Sequence, residues 1–316
     1  MSEISCALAS AERGEDLFGT ASQVRRWLLI EVRGAWGHDV FEDSALASHV
    51  DSEWRQSLRD AGIRPLAIRR DLDRHDAGAP SNLFYAESGV GPDEPSRAWH
   101  RLVPDLATVP GATRDLLHSL AQDPSTDGSG IERSGWMVHE EPVLLVCTNG
   151  RHDSCCATYG RPLIRHLRTT EYADAIWESS HVGGDRFAAN LVVLPDGYYF
   201  GRVPVDHSEA LLERLGAGHL DLDHYRGRCT QSFAAQAVEH LVRRDLALTA
   251  VDSVSSVSRV QGDEYVVALA TGERVSAVVS QHRVESPEPL TCSGAPGSSY
   301  PVHRLERVVR EVPIDL

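Results

Sequence analysis

The sequence predicts an α/β protein built from two units of one repeated strand–helix order, followed by a C-terminal helix plus β extension. Three observations carry this. Apolar runs such as residues 27–32 and 143–146 have the length of buried strands. Stretches with apolar residues at helical spacing lie between the strands. A polar segment at 122–135, rich in Asp, Pro, Ser, Thr and Gly, separates the two halves.

To about residue 22 the chain is polar and reads as loosely packed. Residues 27–32 form the first predicted strand. Leu46, Val50, Trp54 and Leu58 recur every four residues and mark one face of a helix. Asp43 or Ser44 would cap it and Gly62 would stop it. Residues 65–68, 82–86 and 98–103 read as strands, and Leu116, Leu117 and Leu120 as a short helix. After the linker the order returns: a strand at 143–146, then a helix through Leu163, Ile164 and Leu167. Strands at 175–178, 191–194 and 198–203 follow, then a helix capped by Ser208. Tyr198 and Tyr199 alternate, so one is expected to face in and one out.

Each half runs strand–helix–strand–strand–strand–helix, the order of a thioredoxin-like unit. The first half has no Cys or His pair at the matching strand end, so it reads as a degenerate copy. Beyond Asp221 come a helix at 232–244, strands at 254–260, 265–269 and 274–279, a loop at 290–299 and an edge strand at 302–312. The expected domains are residues 1–125, 136–220 and 221–316.

Bulk composition narrows the function. The chain has 316 residues, 41% hydrophobic, enough for about two domains with filled cores. Its net charge of −15 argues against a general nucleic-acid binder, which carries a basic face. No apolar run reaches the ~18 residues of a membrane span, so no membrane insertion is expected. The start, MSEISC, has neither a basic nor an apolar signal region, and a cytoplasmic location is expected.

Six cysteines in so long a chain do not form a disulfide framework. Three of them, Cys147, Cys155 and Cys156, fall within ten residues, which points to metal or redox chemistry. Cys229 and Cys292 read as ordinary core thiols, and Cys6 as incidental. A strand ending in Cys147 places its sulfur at the carboxyl edge of a sheet, where sites form in open α/β sheets. The following loop delivers Cys155 and Cys156 to a helix N-terminus, whose partial positive charge favours thiolate. Only one of these neighbours would face the same centre. Further on, His181 and Asp185 flank Gly183-Gly184, which lets the backbone bend so that both side chains point inward. Thiolates with imidazole suit zinc and iron–sulfur clusters alike, and bare thiols are the third possibility. Arg151, His152, Arg161, Arg165, His166, Arg168, Arg186 and Arg202 make a local basic concentration, fit for docking an acidic redox partner or for a solvated helix face.

The segment CTNGRHDSCC from Cys147 to Cys156, with HVGGDRFAANL from His181 and LPDGYYFGR from Leu194, resembles the sucrase/ferredoxin-like family of actinobacterial type. So do Arg13-Gly14-Glu15, Gly19-Thr20-Ala21 and Tyr225-Arg226-Gly227-Arg228-Cys229. The resemblance implies a thioredoxin-like ferredoxin with a [2Fe–2S] cluster on two cysteines and two histidines. Carried over, the ligands are Cys147, Cys156 and His181, and Asp185 stands where the second histidine would be. It implies Asp185 as a harder anionic fourth ligand, or Cys155 in its place. No pair among the 46 Asp and Glu residues stands out for the glycoside hydrolysis that the family's name suggests. The implied role is a ferredoxin-like electron carrier or the redox component of a partner enzyme. The alternatives are a thiol-based oxidoreductase or redox sensor using Cys147, Cys155 or Cys156, and a non-catalytic protein with structural zinc. No dinucleotide fingerprint is present, so electrons would come from a partner protein.

Overall fold

The computed structural model describes residues 5–70, 80–91, 94–122 and 128–311. The chain forms two compact units, one of residues 1–23, 183–190 and 198–316, the other of 24–182 and 191–197. The first unit opens with helix α1 (Cys6–Glu12), capped by Ser5, with Cys6, Ala7 and Ser10 buried. The loose start expected from polarity is therefore wrong: small side chains let this short helix pack closely.

The other unit is an α/β sheet with helical cover. Its first half comprises β1 (Arg26–Glu31), α2 (Val40–Asp43), α3 (Ser52–Asp60), β2 (Ile63–Arg69), β3 (Ser81–Glu87), β4 (Arg97–Val103) and α4 (Val109–Gln122). Then come α5 (Ser129–Arg133), β5 (Met137–Val138), β6 (Val143–Cys147), α6 (Ser154–Leu167), β7 (Ile176–Ser179) and β8 (Leu191–Leu194). The strands lie in the order β8-β6-β7-β2-β1-β3-β4-β5. In one half β1 is flanked by parallel β2 and antiparallel β3. In the other, β6 is flanked by parallel β7 and antiparallel β8. The repeated thioredoxin-like order is thus present, and the halves join edge to edge through antiparallel β2 and β7. That junction places the expected boundary near residue 125 inside one unit.

Local chemistry explains where the elements start. The four-residue apolar spacing overstates the first helix. Ser44 instead closes α2, its hydroxyl donating to the Val40 carbonyl and accepting from Leu46 N–H. Asp51 then caps α3 by accepting from Trp54 N–H at 2.8 Å, and Gly62 ends it at φ +67°. Part of the expected linker is helix α5, with Gly130 and Ile131 buried; residues 123–127 lie outside the described residues. Trp27, Trp54, Trp99 and Trp177 are core residues.

The first unit continues with β9 (Tyr198–Phe200), α7 (Ser208–Gly216), β10 (Tyr225–Arg228) and α8 (Phe233–Asp245). Strands β11 (Val254–Gln261), β12 (Glu264–Leu269), β13 (Arg274–Glu285) and β14 (Ser299–Glu311) then form an antiparallel sheet in sequence order. Val238 and Val242 of α8 pack with Tyr265, Val267, Val275 and Val279. Tyr198 and Tyr199 are both buried, because the Tyr225 ring and the Arg228 guanidinium cover Tyr198. The thiols of Cys6 and Cys292 lie 3.5 Å apart.

Buried His240 on α8 stacks on Phe18 at 4.3 Å between ring centroids. Burial, with Arg244 beside it, pushes the His240 pKa down to about 3. The unfolded chain therefore takes up this proton first, near pH 6.5. The contribution is complete above pH 6.5 and is lost as pH falls toward 3. Between pH 7 and 4.5 this group alone should cost about 2–3 kcal/mol. A His240→Gln variant should lose that part of the slope in denaturant titrations at the two pH values.

Candidate metal centre

Strand β6 is apolar and buried throughout, and it ends in Cys147. Strand β7 runs parallel beside it with Ser179 opposite Cys147. Thr148 N–H donates to the Ser179 carbonyl at 3.2 Å, so the two strand ends leave the sheet together. Ser180 is held to β2 by its N–H on the Ala67 carbonyl at 2.8 Å and by Ala67 N–H on its hydroxyl at 3.1 Å. Arg64 donates to the His181 carbonyl at 2.9 Å. These bonds fix His181 at the carboxyl end of the parallel pair.

Helix α6 supplies the third element. Asp153 caps it, accepting from Cys155 N–H at 2.9 Å, which makes Cys156 the third helical residue. Cys155 and Cys156 thus stand in the first turn of the helix, as the sequence leads us to expect. Gly160 lets α6 lie against the end of β6: a Cβ there would stand 2.2 Å from the Cys147 carbonyl oxygen.

The ligand atoms of Cys147, Cys156 and His181 all lie within 4.8 Å of one another. Cys155 does not join that group. Cys147 and Cys156 are each 1% exposed. The Cys147 pKa is drawn down to about 5. The hydrogen bond from Cys156 is the main cause; burial opposes it, and His181 and the Val182 N–H add to it. Cys147 is thus held as thiolate at neutral pH, the form that binds metals. The His152 ring packs on His181 at 3.9 Å between centroids.

Asp185 falls in the other unit, as the first residue of a 3-10 turn (Asp185–Phe187), and is buried. Its loop is built by Arg226, which is 1% exposed. The Arg226 guanidinium donates to the Gly183 carbonyl at 3.0 Å and to Asn190 Oδ1 at 2.7 Å. Asn190 in turn donates to the Gly184 carbonyl at 2.9 Å. Gly183 and Gly184 have φ of +97° and +84°, and a Cβ on Gly184 would strike Arg226 at 2.3 Å. The bend expected at the glycines is there, clamped by a residue that its spacing did not single out.

Behind the cysteines lies a buried polar group that carries no motif. Glu178 on β7 accepts from Arg69 Nη2 at 3.0 Å, Thr148 Oγ1 at 2.7 Å and Arg168 at 3.3 Å. The Arg69 guanidinium also covers the Trp36 ring at 3.8 Å. The basic concentration divides: Arg168 pairs with Glu178, Arg186 with Glu15, and Arg202 donates to the Ser10 and Glu15 carbonyls. Arg151, Arg161 and Arg165 remain exposed. A cavity of about 520 Å³ beside the loop after Cys147 is lined by Arg69, Arg151, Arg161, Trp36 and Thr148, among others.

The fold and the site define an α/β protein of repeated thioredoxin-like order, with two buried cysteines and a half-buried histidine gathered at the carboxyl edge of the sheet. Residues 17–227 match the sucrase/ferredoxin-like family, and the chain belongs to it. No curated protein sequence matches the chain. Among solved structures, a thioredoxin-like [2Fe–2S] ferredoxin from Aquifex aeolicus is 17% identical, with a TM-score of 0.26 over 30% of this chain and 97% of its own. A cysteine-to-serine variant of that ferredoxin gives 17% and 0.25 over 27% of this chain and 97% of its own. Likeness at this level carries no argument about the site. Among the described residues no helix is long and apolar enough to cross a membrane.

Proposed function

We propose that this chain is a ferredoxin-like electron carrier whose [2Fe–2S] cluster is held by Cys147, Cys156 and His181. The observation that carries the reading is the convergence of those three ligand atoms within 4.8 Å at the carboxyl end of β6 and β7. Two thiolates and an imidazole fit such a cluster by ligand softness. When bound, the cluster supplies a one-electron couple. The chain's own residues do the rest. The α6 N-terminus and the Val182 N–H favour the anionic sulfurs, and burial of both cysteines keeps water out.

Asp185 is the fourth ligand that the family resemblance implies, and His152 is a further donor in the unit that carries the other three. Replacing each by alanine assigns the position: the true ligand's loss shifts the reduction potential and the spectrum, and the other's leaves both unchanged. Exposed Arg151, Arg161 and Arg165 suit an acidic partner protein, so transfer rates to such a partner should fall with ionic strength.

A thiol couple of Cys147 and Cys156 is the second reading, favoured by their hydrogen bond and by the lowered Cys147 pKa. Their burial speaks against attack on an external substrate. A potentiometric titration separates the two. Uptake of one electron per chain supports the carrier, and a two-electron couple abolished by Cys156→Ala supports the thiol pair.

A further inference from the structure

In the C-terminal part of the first unit, three residues with no role in that centre converge. His207 Nε2 and Asp221 Oδ2 are 2.7 Å apart, and the rings of His207 and His224 are 5.4 Å apart between centroids. The ligand atoms of His207, Asp221 and His224 all lie within 4.8 Å of one another. We propose that His207, Asp221 and His224 form a second metal site, for a divalent transition cation of the zinc type.

The donor chemistry is that of a two-histidine, one-carboxylate site. Imidazole and carboxylate together suit zinc and its neighbours in the first transition row, and three protein ligands leave positions open for water. Two of the three donors are held from behind. His224 Nδ1 bonds the Gly201 carbonyl at 3.2 Å, so that nitrogen donates and the lone pair sits on Nε2. A carbonyl bonded to the far ring nitrogen is the usual support of a metal-ligating histidine. Asp221 Oδ1 accepts from Asp223 N–H at 3.1 Å, while Oδ2 faces His207. The Asp221 carbonyl accepts from Tyr225 N–H at 2.9 Å, and Gly201 N–H donates to the His224 carbonyl at 2.9 Å. The backbone under Asp221 and His224 is thereby fixed.

Burial agrees with this. The Asp221 side chain is 5% exposed and that of His207 is 39% exposed, so the site has a dry floor and an open mouth. At present one proton bridges His207 and Asp221. Donors around tetrahedral zinc stand about 3.3 Å apart, from bond lengths of about 2.0–2.1 Å. A cation would take the place of that proton with a small side-chain opening, the ring proton of a neutral His207 moving to Nδ1.

Cobalt(II) added to the full chain tests the site, because its spectrum separates nitrogen and oxygen ligands from thiolate. We expect one cobalt without sulfur charge-transfer bands, displaced by zinc. Its affinity should fall at least tenfold in both His207→Ala and His224→Ala and stay unchanged in Cys156→Ala. A hundredfold excess of zinc over its Kd should raise Tm by about 5–10 °C in the parent and not in the His224→Ala protein. His207 is half-exposed, so its variant keeps the fold, and an unchanged circular dichroism spectrum checks this. A chain that takes up no cobalt outside its cysteines overturns the proposal, as do histidine variants that bind as the parent does.

Discussion

Alanine at Cys156 should empty the candidate metal centre while leaving the fold in place. The thiol is buried at the third residue of α6, and its hydrogen bond is the main cause of the low Cys147 pKa. Its removal takes away one of three converging ligands. The Cys147 pKa should also rise toward the ordinary thiol range, which weakens the second ligand. Iron retained per chain should fall at least tenfold relative to the parent. The α6 cap is on Asp153 and the apolar face of α6 is untouched, so the cost to folding should be only about 1 kcal/mol. Cys155→Ala is the control: Cys155 lies outside the group and its variant should keep the iron. Iron analysis and thermal unfolding of the two variants check both halves of this expectation.

Arg69→Met should be among the most destabilising single changes, at about 3–5 kcal/mol. Arg69 and Glu178 are paired residues of β2 and β7, where the two halves of the sheet meet, and both side chains are nearly inaccessible. Removing the guanidinium leaves a buried carboxylate with only Thr148 and the half-exposed Arg168 as partners. The penalty lies in the uncompensated charge, not in the pair's own net worth. The double variant Arg69→Met with Glu178→Leu should therefore recover most of the loss. Denaturant unfolding of the three proteins measures the coupling. Because Thr148 follows Cys147 and bonds Glu178, the single variant should also retain its metal less tightly.

Much of this was legible in the sequence, for physical reasons. Apolar strands such as residues 143–146 announce themselves by composition, and their order exposed the repeated unit. Cys147 and His181 could be placed at strand ends because buried strands end where polarity returns. Spacing left Cys155 and Cys156 equal and only the family resemblance pointed to Cys156; which of the two faces Cys147 depends on the Asp153 cap, which sets the phase of α6. The start of α3 was misjudged, since the capping residue Asp51 and not the apolar spacing decides it, whereas α6 begins at the cysteines as expected. The Arg69–Glu178 pair joins residues 109 apart, and no local pattern marks it. His207, Asp221 and His224 likewise meet only through the turn before β10. Composition mistook residues 129–133 for linker, although Ile131 buries itself there.

The role we propose for Cys147, Cys156 and His181 is to hold an iron–sulfur cluster. It is tested most directly by iron and sulfide analysis of protein purified without oxygen, with electron paramagnetic resonance before and after dithionite. We expect about two irons and two sulfides per chain, silent as isolated and giving a half-spin signal on reduction. A colourless protein whose cysteines hold zinc, or hold no metal, would contradict it.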